Sequence, residues 1–241
     1  MSTYVLVHGA WHTGAQFAPV AAHLRQAGHT VFTPTIAGNR SDDVKTTGLA
    51  EAIQSILDYL VENSLSNVIL LGHSYGGMVI TGVADRIPER LRRLIYWVAF
   101  VPNDGEALVD MVPPDRVAIL EALAAGRGDG SVVLPFQVWR EAFINDADLE
   151  TATRAYELLN LHPFRTFTEK ISLRTNPAEM VLPKSYLVCT EDTALPHGAW
   201  RHPRLSEKLG LFRLVQTTGS HELCFSDPAR LAKAILEAGR D

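Results

Sequence analysis

Only two cysteines, Cys189 and Cys224, occur among the 241 residues, and each is set among apolar neighbours. They read as reduced core thiols of a cytoplasmic protein rather than as a disulfide framework. No apolar run approaches the ~20 residues needed to cross a bilayer, so no membrane anchor is expected. No charged segment followed by an apolar core opens the chain. Residues 1–5 run straight into a strand, and no secretory signal is expected. No long basic run occurs either; 22 Lys and Arg face 27 Asp and Glu, a formal net charge of −5. That balance argues against a nucleic-acid partner and against an anionic membrane surface. Internal repeats and low-complexity tracts are also missing. What is there is 46% hydrophobic, enough for a single domain, residues 1–241, with a sizeable core.

Apolar stretches and helical periodicity alternate along the first hundred residues. Strands are expected at 4–8, 30–34, 67–71 and 94–100. Between them fall helices at 15–27, with Phe17, Val20, Ala21 and Leu24 on one face, and at 48–62. A third helix follows residue 74 and stops before Pro88. Such alternation implies right-handed βαβ units and a parallel sheet covered on both faces. The rhythm then fails. From about 101 to 182 no strong strand is legible, and helical stretches appear near 114–125 and 148–159 around a glycine-rich tip at 126–130. A gap of that length is too long for a plain loop. It reads as a helical cap, about residues 103–182, inserted after the fourth strand. Strands at 184–189 and 211–215 and helices at 204–209 and 228–238 complete a six-stranded, mainly parallel sheet.

The most informative stretch is Gly72-His73-Ser74-Tyr75-Gly76, between an apolar run and an apolar-periodic helix. This is the G-x-S-x-G nucleophile elbow in its strand–turn–helix setting. A serine hydroxyl is a weak nucleophile and needs a base, which in turn needs an orienting acid. On such sheets these residues lie past the carboxyl ends of strands, in the order serine, acid, histidine. The strand at 184–189 runs into Glu191 and Asp192; the strand at 211–215 runs into His221. Asp192 is preferred over Glu191, with Asp104, after the fourth strand, as a third candidate acid. His197 and His202 read as surface positions, and their spacing is not a metal pattern. Donors for a developing oxyanion are expected from the backbone N–H groups of Tyr75, after the nucleophile, and of Ala10, in the loop after the first strand. His8 reads as a buried scaffold residue. Candidate pocket walls are Trp11, Tyr75, Phe100, Trp139 and Phe143.

The chain resembles the α/β-hydrolase superfamily, and within it the plant methylesterase and hydroxynitrile lyase branch with its bacterial serine esterase relatives. The resemblance rests on residues 5–12 and 72–77, on 188–192 with Pro196 and Trp200, and on His221 with Ser226 and Pro228. It is weakest across the cap. It implies an α/β-hydrolase fold, a Ser74–His221–Asp192 triad, an oxyanion hole at Ala10 and Tyr75, no cofactor, no metal, a small-molecule ester as substrate, and often a homodimer. The lyases of this branch that resemble it most carry threonine after the first-strand histidine and lysine after the catalytic histidine. Here those positions hold Gly9 and Glu222. An acidic neighbour would oppose a departing anion. Hydrolysis of a small apolar or aromatic ester is therefore expected. A lyase or lactonase using the same three residues, and a non-catalytic ligand binder, are the competing readings.

Overall fold

Eight strands form in the computed structural model, which describes residues 1–196 and 199–241. In chain order they are β1 (Thr3–Val7), β2 (Thr30–Phe32), β3 (Val68–His73), β4 (Leu91–Trp97), β5 (Ser131–Val132), β6 (His162–Pro163), β7 (Lys184–Cys189) and β8 (Arg213–Thr217). Six of them make one sheet in the order β2-β1-β3-β4-β7-β8. Every pairing in it is parallel. The short β5 and β6 pair antiparallel, apart from the main sheet.

Alternation of side chains along β1 divides the core. Tyr4 and Leu6 pack on one face with Val20 and Leu24 of α1 (Ala18–Gln26) and with Leu231 and Ile235 of the closing helix, Pro228–Ala238. Val5 and Val7 pack on the other face with α2 (Leu49–Glu62) and α3 (Gly76–Arg86). α2 buries Leu49, Ile53, Ile56, Leu57 and Leu60, each contributing roughly 1.5–3 kcal/mol of transfer free energy as an upper figure. Residues 98–183 leave the sheet after β4 and return at β7. They carry α4 (Pro114–Arg127), the turns at Phe136–Val138 and Trp139–Phe143, and the helix Leu149–Tyr156.

β4 and β8 lie furthest from the sequence expectation. β4 begins at Leu91, not at residue 94, and ends at Trp97. Arg92 and Arg93 hid its start: Arg93 is buried in the sheet, with Nη1 donating to Ser185 Oγ (3.1 Å). Residues 98–101 stay buried although pairing has ended, because Val98 turns away at a φ of 40°. β8 runs over 213–217, since Leu211 is 90% exposed beyond its start. The 204–209 helix is shorter, Arg204–Glu207.

The winding of the sheet reverses between β1 and β3, whose neighbours in sequence lie on opposite sides of them. Ligands bind at such a reversal, beyond the carboxyl ends of the strands. Here the backbones approach closely: a Cβ on Gly76 would stand 2.7 Å from the His8 carbonyl oxygen, and one on Gly72 2.6 Å from the Gly76 oxygen. Gly76→Ala is expected to cost roughly 1–3 kcal/mol of unfolding free energy and to depress activity; an unchanged urea midpoint and rate would show that the turn has room to spare.

Candidate active site

β3 ends at His73, and the chain reverses into α3 through Ser74, which holds a φ of 51°. A left-handed conformation at a residue with a Cβ costs about 1–2 kcal/mol. Three backbone bonds hold it. Ser74 N–H donates to Trp97 O (3.1 Å), and its carbonyl accepts from Gly77 (3.0 Å) and Phe100 (3.1 Å). The side chain is thus lifted off the sheet and remains partly exposed at the wall of a cavity.

Asp192 and His221 come from the loops after β7 and β8. His221 Nδ1 donates to Asp192 Oδ2 at 3.0 Å. The other carboxylate oxygen accepts from Ala194 N–H (2.8 Å), and the Arg201 guanidinium lies 3.4 Å from Oδ2. Both Asp192 and Arg201 are buried. Burial alone would raise the Asp192 carboxyl, but His221 and Arg201 overrule it and hold it below the ordinary value. For His221 burial alone pushes the imidazole down; the Asp192 carboxylate overrules it, and the ring lies above its usual 6.5. An ionised carboxylate can only accept, so the neutral ring carries its hydrogen on Nδ1. Its Nε2 then presents a lone pair and has no hydrogen-bond partner among the described residues. Ser74 and His221 line the same cavity without hydrogen-bonding to each other. In sites without substrate such bonds are often long and tighten on binding.

The loop after β1 is held by three buried imidazoles. His8 Nδ1 donates to Gly9 O (2.8 Å) while its Nε2 accepts from Ile36 N–H (3.0 Å). His12 Nδ1 donates to Ala10 O at 2.6 Å. His162, from β6, accepts from Trp11 N–H at 3.4 Å. Burial keeps His8 at about 3 and His162 well below 6.5, so both are neutral. The peptide joining Ala10 and Trp11 is clamped at its carbonyl by His12 and at its N–H by His162, and Trp11 keeps a φ of 64°. The peptide joining Gly9 and Ala10 is held at its carbonyl alone. Neither Ala10 N–H nor Tyr75 N–H meets a protein acceptor among the described residues. Both residues line the cavity.

The cavity has a volume of about 340 Å³. Of the walls expected from sequence, Trp11, Tyr75, Phe100 and Phe143 line it. Trp139 does not: it is fully buried behind Phe143, with its indole N–H donating to Ala152 O (2.9 Å). Aliphatic residues of α4 and its approaches, among them Leu108, Val112, Leu120 and Leu123, complete the wall. They were illegible beforehand because an apolar residue over a cavity and one in a core look alike in sequence. Arg116 and Glu141 also line it. Glu191 is exposed, and Asp104, also exposed, accepts from Leu173 N–H (2.8 Å), so neither holds His221. His202 is half-buried, with Nδ1 2.6 Å from Ser206 Oγ; His197 lies outside the described residues.

One functional neighbour of His221, His73, escaped the sequence reading, and the direction of a second, Glu222, was misread. His73, the unspecified second residue of the elbow motif, donates from Nε2 to the His221 carbonyl (3.0 Å) and stacks on Trp97. Burial holds it at about 3, hence neutral. Glu222 does not line the cavity, where its charge was expected to face a leaving group. It is 1% exposed and turned inward, with Oε2 3.2 Å from His12 Nε2. Burial alone would raise its carboxyl; His12 and His73 overrule that and hold it at about 2. Among the described residues, His73, His221 and Glu222 bring potential metal-ligand atoms within 4.8 Å of one another. His73 Nε2 and His221 Nδ1 are already engaged with the His221 carbonyl and the Asp192 carboxylate. No helix among the described residues is long and apolar enough to cross a membrane.

The family model described as "Alpha/beta hydrolase family" matches residues 4–234. A solved extracellular alpha/beta-hydrolase from a Paenibacillus species, described as sharing structural and functional homology with tobacco salicylic acid binding protein 2, is 36% identical over all of both chains with a TM-score of 0.97. A carbendazim hydrolyzing esterase from Nocardioides sp. is 48% identical over 116 residues, which is 47% of this chain and 48% of that protein. The matched part is thus about half the length of that relative. Methylesterase 7 of Arabidopsis thaliana is 29% identical over 270 residues, covering 97% of this chain and 95% of the relative. The chain belongs to the alpha/beta hydrolase family, in the branch of the plant methylesterases, and stands among carboxylic ester hydrolases.

Proposed function

We propose that this ester hydrolase cleaves a small apolar or aromatic carboxylic ester through an acyl-enzyme on Ser74. The observation that carries the reading is the lone pair of His221 Nε2, fixed by Asp192 on the far side of the ring and presented to the cavity that Ser74 lines. His221 takes the Ser74 proton as Oγ bonds to the ester carbonyl carbon. The N–H groups of Ala10 and Tyr75 hold the resulting oxyanion; one such donor lowers the barrier by roughly 3–4 kcal/mol. The tetrahedral intermediate collapses, the C–O bond to the alcohol breaks, and His221 gives its proton to the leaving oxygen. Water then repeats the sequence on the acyl-enzyme, with His221 again as base. The apolar cap wall favours an uncharged substrate of modest size. The cytoplasm is the proposed location, supported by the unpaired buried thiols of Cys189 and Cys224; the extracellular setting of the Paenibacillus protein weighs against it.

Ser74→Ala is expected to abolish turnover of p-nitrophenyl acetate and butyrate and labelling by a fluorophosphonate, with the thermal midpoint unchanged. Release of cyanide from mandelonitrile without ester turnover would instead make the protein a lyase, and no label on the native serine would make it a binder. Asp192→Asn is expected to lower kcat by roughly 10⁴, whereas Glu191→Gln leaves it nearly intact; equal losses would mean that the wrong carboxylate has been assigned. The base must be neutral to work, and its ring is held above 6.5. The rate constant kcat/KM should therefore fall as pH drops through a midpoint above that value, and a midpoint below it would contradict the assignment of His221.

A further inference from the structure

Glu222 is a buried carboxylate that touches neither the cavity nor the reacting atoms of the acyl-transfer steps above. Its backbone follows the base directly, its N–H donates to Phe143 O (3.1 Å), and its side chain turns away from substrate into the space behind the site. There Oε2 meets two groups: His12 Nε2 at 3.2 Å and the Cys224 thiol, which donates at 3.7 Å. His12 is the element that matters. Its opposite nitrogen, Nδ1, donates to Ala10 O at 2.6 Å, and an N–H is required there because a carbonyl can only accept. The imidazole is hydrogen-bonded at Nδ1, and its Nε2 edge faces the Glu222 carboxylate at 3.2 Å, so both edges of the ring meet a neighbour. The chain of contacts therefore runs from the residue next to the base, through one ring, to the peptide that follows the oxyanion donor.

We propose that Glu222 is a positioning residue for the oxyanion hole, acting through His12 on the peptide between Ala10 and Trp11. That peptide needs holding. Trp11 sits at a φ of 64°, a conformation that an unconstrained loop would relax. Among the described residues its N–H end meets only His162, at 3.4 Å, so the short His12 bond at the carbonyl end is the stronger restraint. If the peptide relaxes, Ala10 rotates and its N–H leaves the line of the developing oxyanion. Displacement of a donor in this way slows chemistry more than it weakens substrate binding, because the bond matters most in the transition state. Glu222 does not touch the cavity, so substrate contacts are untouched by its replacement.

The proposal rests on acyl transfer at Ser74, and the test separates the two. Glu222→Gln keeps the shape and removes the charge. With p-nitrophenyl butyrate its kcat should fall roughly ten- to hundredfold while KM stays within about twofold. The inhibition constant of a trifluoromethyl ketone, whose Ser74 adduct places an oxyanion in the hole, should rise by the same factor as kcat/KM falls. The double variant Glu222→Gln/His12→Gln should be no slower than the slower single variant, since both act on one contact. Glu222→Asp, with the charge retained on a shorter arm, should lie between, and it reads the same ratios if the amide variant does not fold. Unchanged kcat, a kcat loss with the ketone constant unmoved, or additive losses in the double variant would each overturn the proposal. A native protein that turns over no ester and takes no label at Ser74 would remove the acyl-transfer reading itself; normal labelling with an indifferent Glu222→Gln would remove this one alone.

Discussion

At the start of α3 the α-carbon of Gly76 rests against the carbonyl oxygens of Val7 and His8, where a Cβ would stand 2.8 and 2.7 Å away. Only a hydrogen fits. The contact presses the first turn of one helix onto the last residues of a neighbouring strand, and the register places Val7 of β1 beside Gly72 of β3. From this follow the left-handed turn at Ser74 and the common direction in which Ala10 and Tyr75 open, both into one cavity. Sheet pairing fixes the two strands in their plane, but it cannot by itself bring a loop and a helix terminus to van der Waals distance. The glycine does that. The strain at Ser74 persists because its N–H and carbonyl are bonded to Trp97, Gly77 and Phe100, so relaxing one dihedral would break several bonds at once.

The same local character explains what could be read in advance. The elbow declares itself within five residues, because the steric demand it meets is local. Asp192 and His221 are legible one step further away, because strand order puts each at the end of a strand; Asp192 is preferred to Glu191 on the motif, and in the structure Asp192 is buried and Glu191 exposed. The limits appear where apolar character stops meaning sheet. Residues 98–101 are apolar because they are buried after β4 has ended, whereas Leu211 is apolar and exposed, so both strand boundaries shifted. Above the sheet edge the signal weakens further. The turns at Phe136–Val138 and Trp139–Phe143 are too short to show a period, and β5 and β6 are two residues each. Glu222 was legible as an acid beside the base, but not its direction. A side chain's direction depends on which neighbours can pair with it, and His12 lies 210 residues earlier in the chain.

Behind the cavity the protein buries a layer of ionisable side chains that includes His8, His12, His73, His162, Asp192 and Glu222. An unpaired buried polar group costs roughly 1–3 kcal/mol, so such a layer is tolerable only if its members satisfy one another. They largely do. His8 holds Gly9, His12 holds Ala10, His73 holds the His221 carbonyl, and Asp192 holds the His221 ring. Each of these bonds ends on the oxyanion loop or on the base. The polar interior is thus spent on orienting a small number of backbone and ring atoms rather than on general stability.

That arrangement has an electrostatic sign. Burial and the Arg201 charge lower the proton affinity of His221, but the carboxylates Asp192 and Glu222 raise it by more, while the neutral His8 and His73 add no full charge. Among the described residues, the cavity-side groups without protein partners include the N–H donors of Ala10 and Tyr75 and the lone pair of His221 Nε2. As Ser74 attacks, a positive charge develops on the imidazole and a negative one on the carbonyl oxygen. The buried anions favour the first and the open amides favour the second. Both sets are fixed before substrate arrives, so neither has to reorganise at the moment of reaction, and the field already matches the charge separation of the transition state.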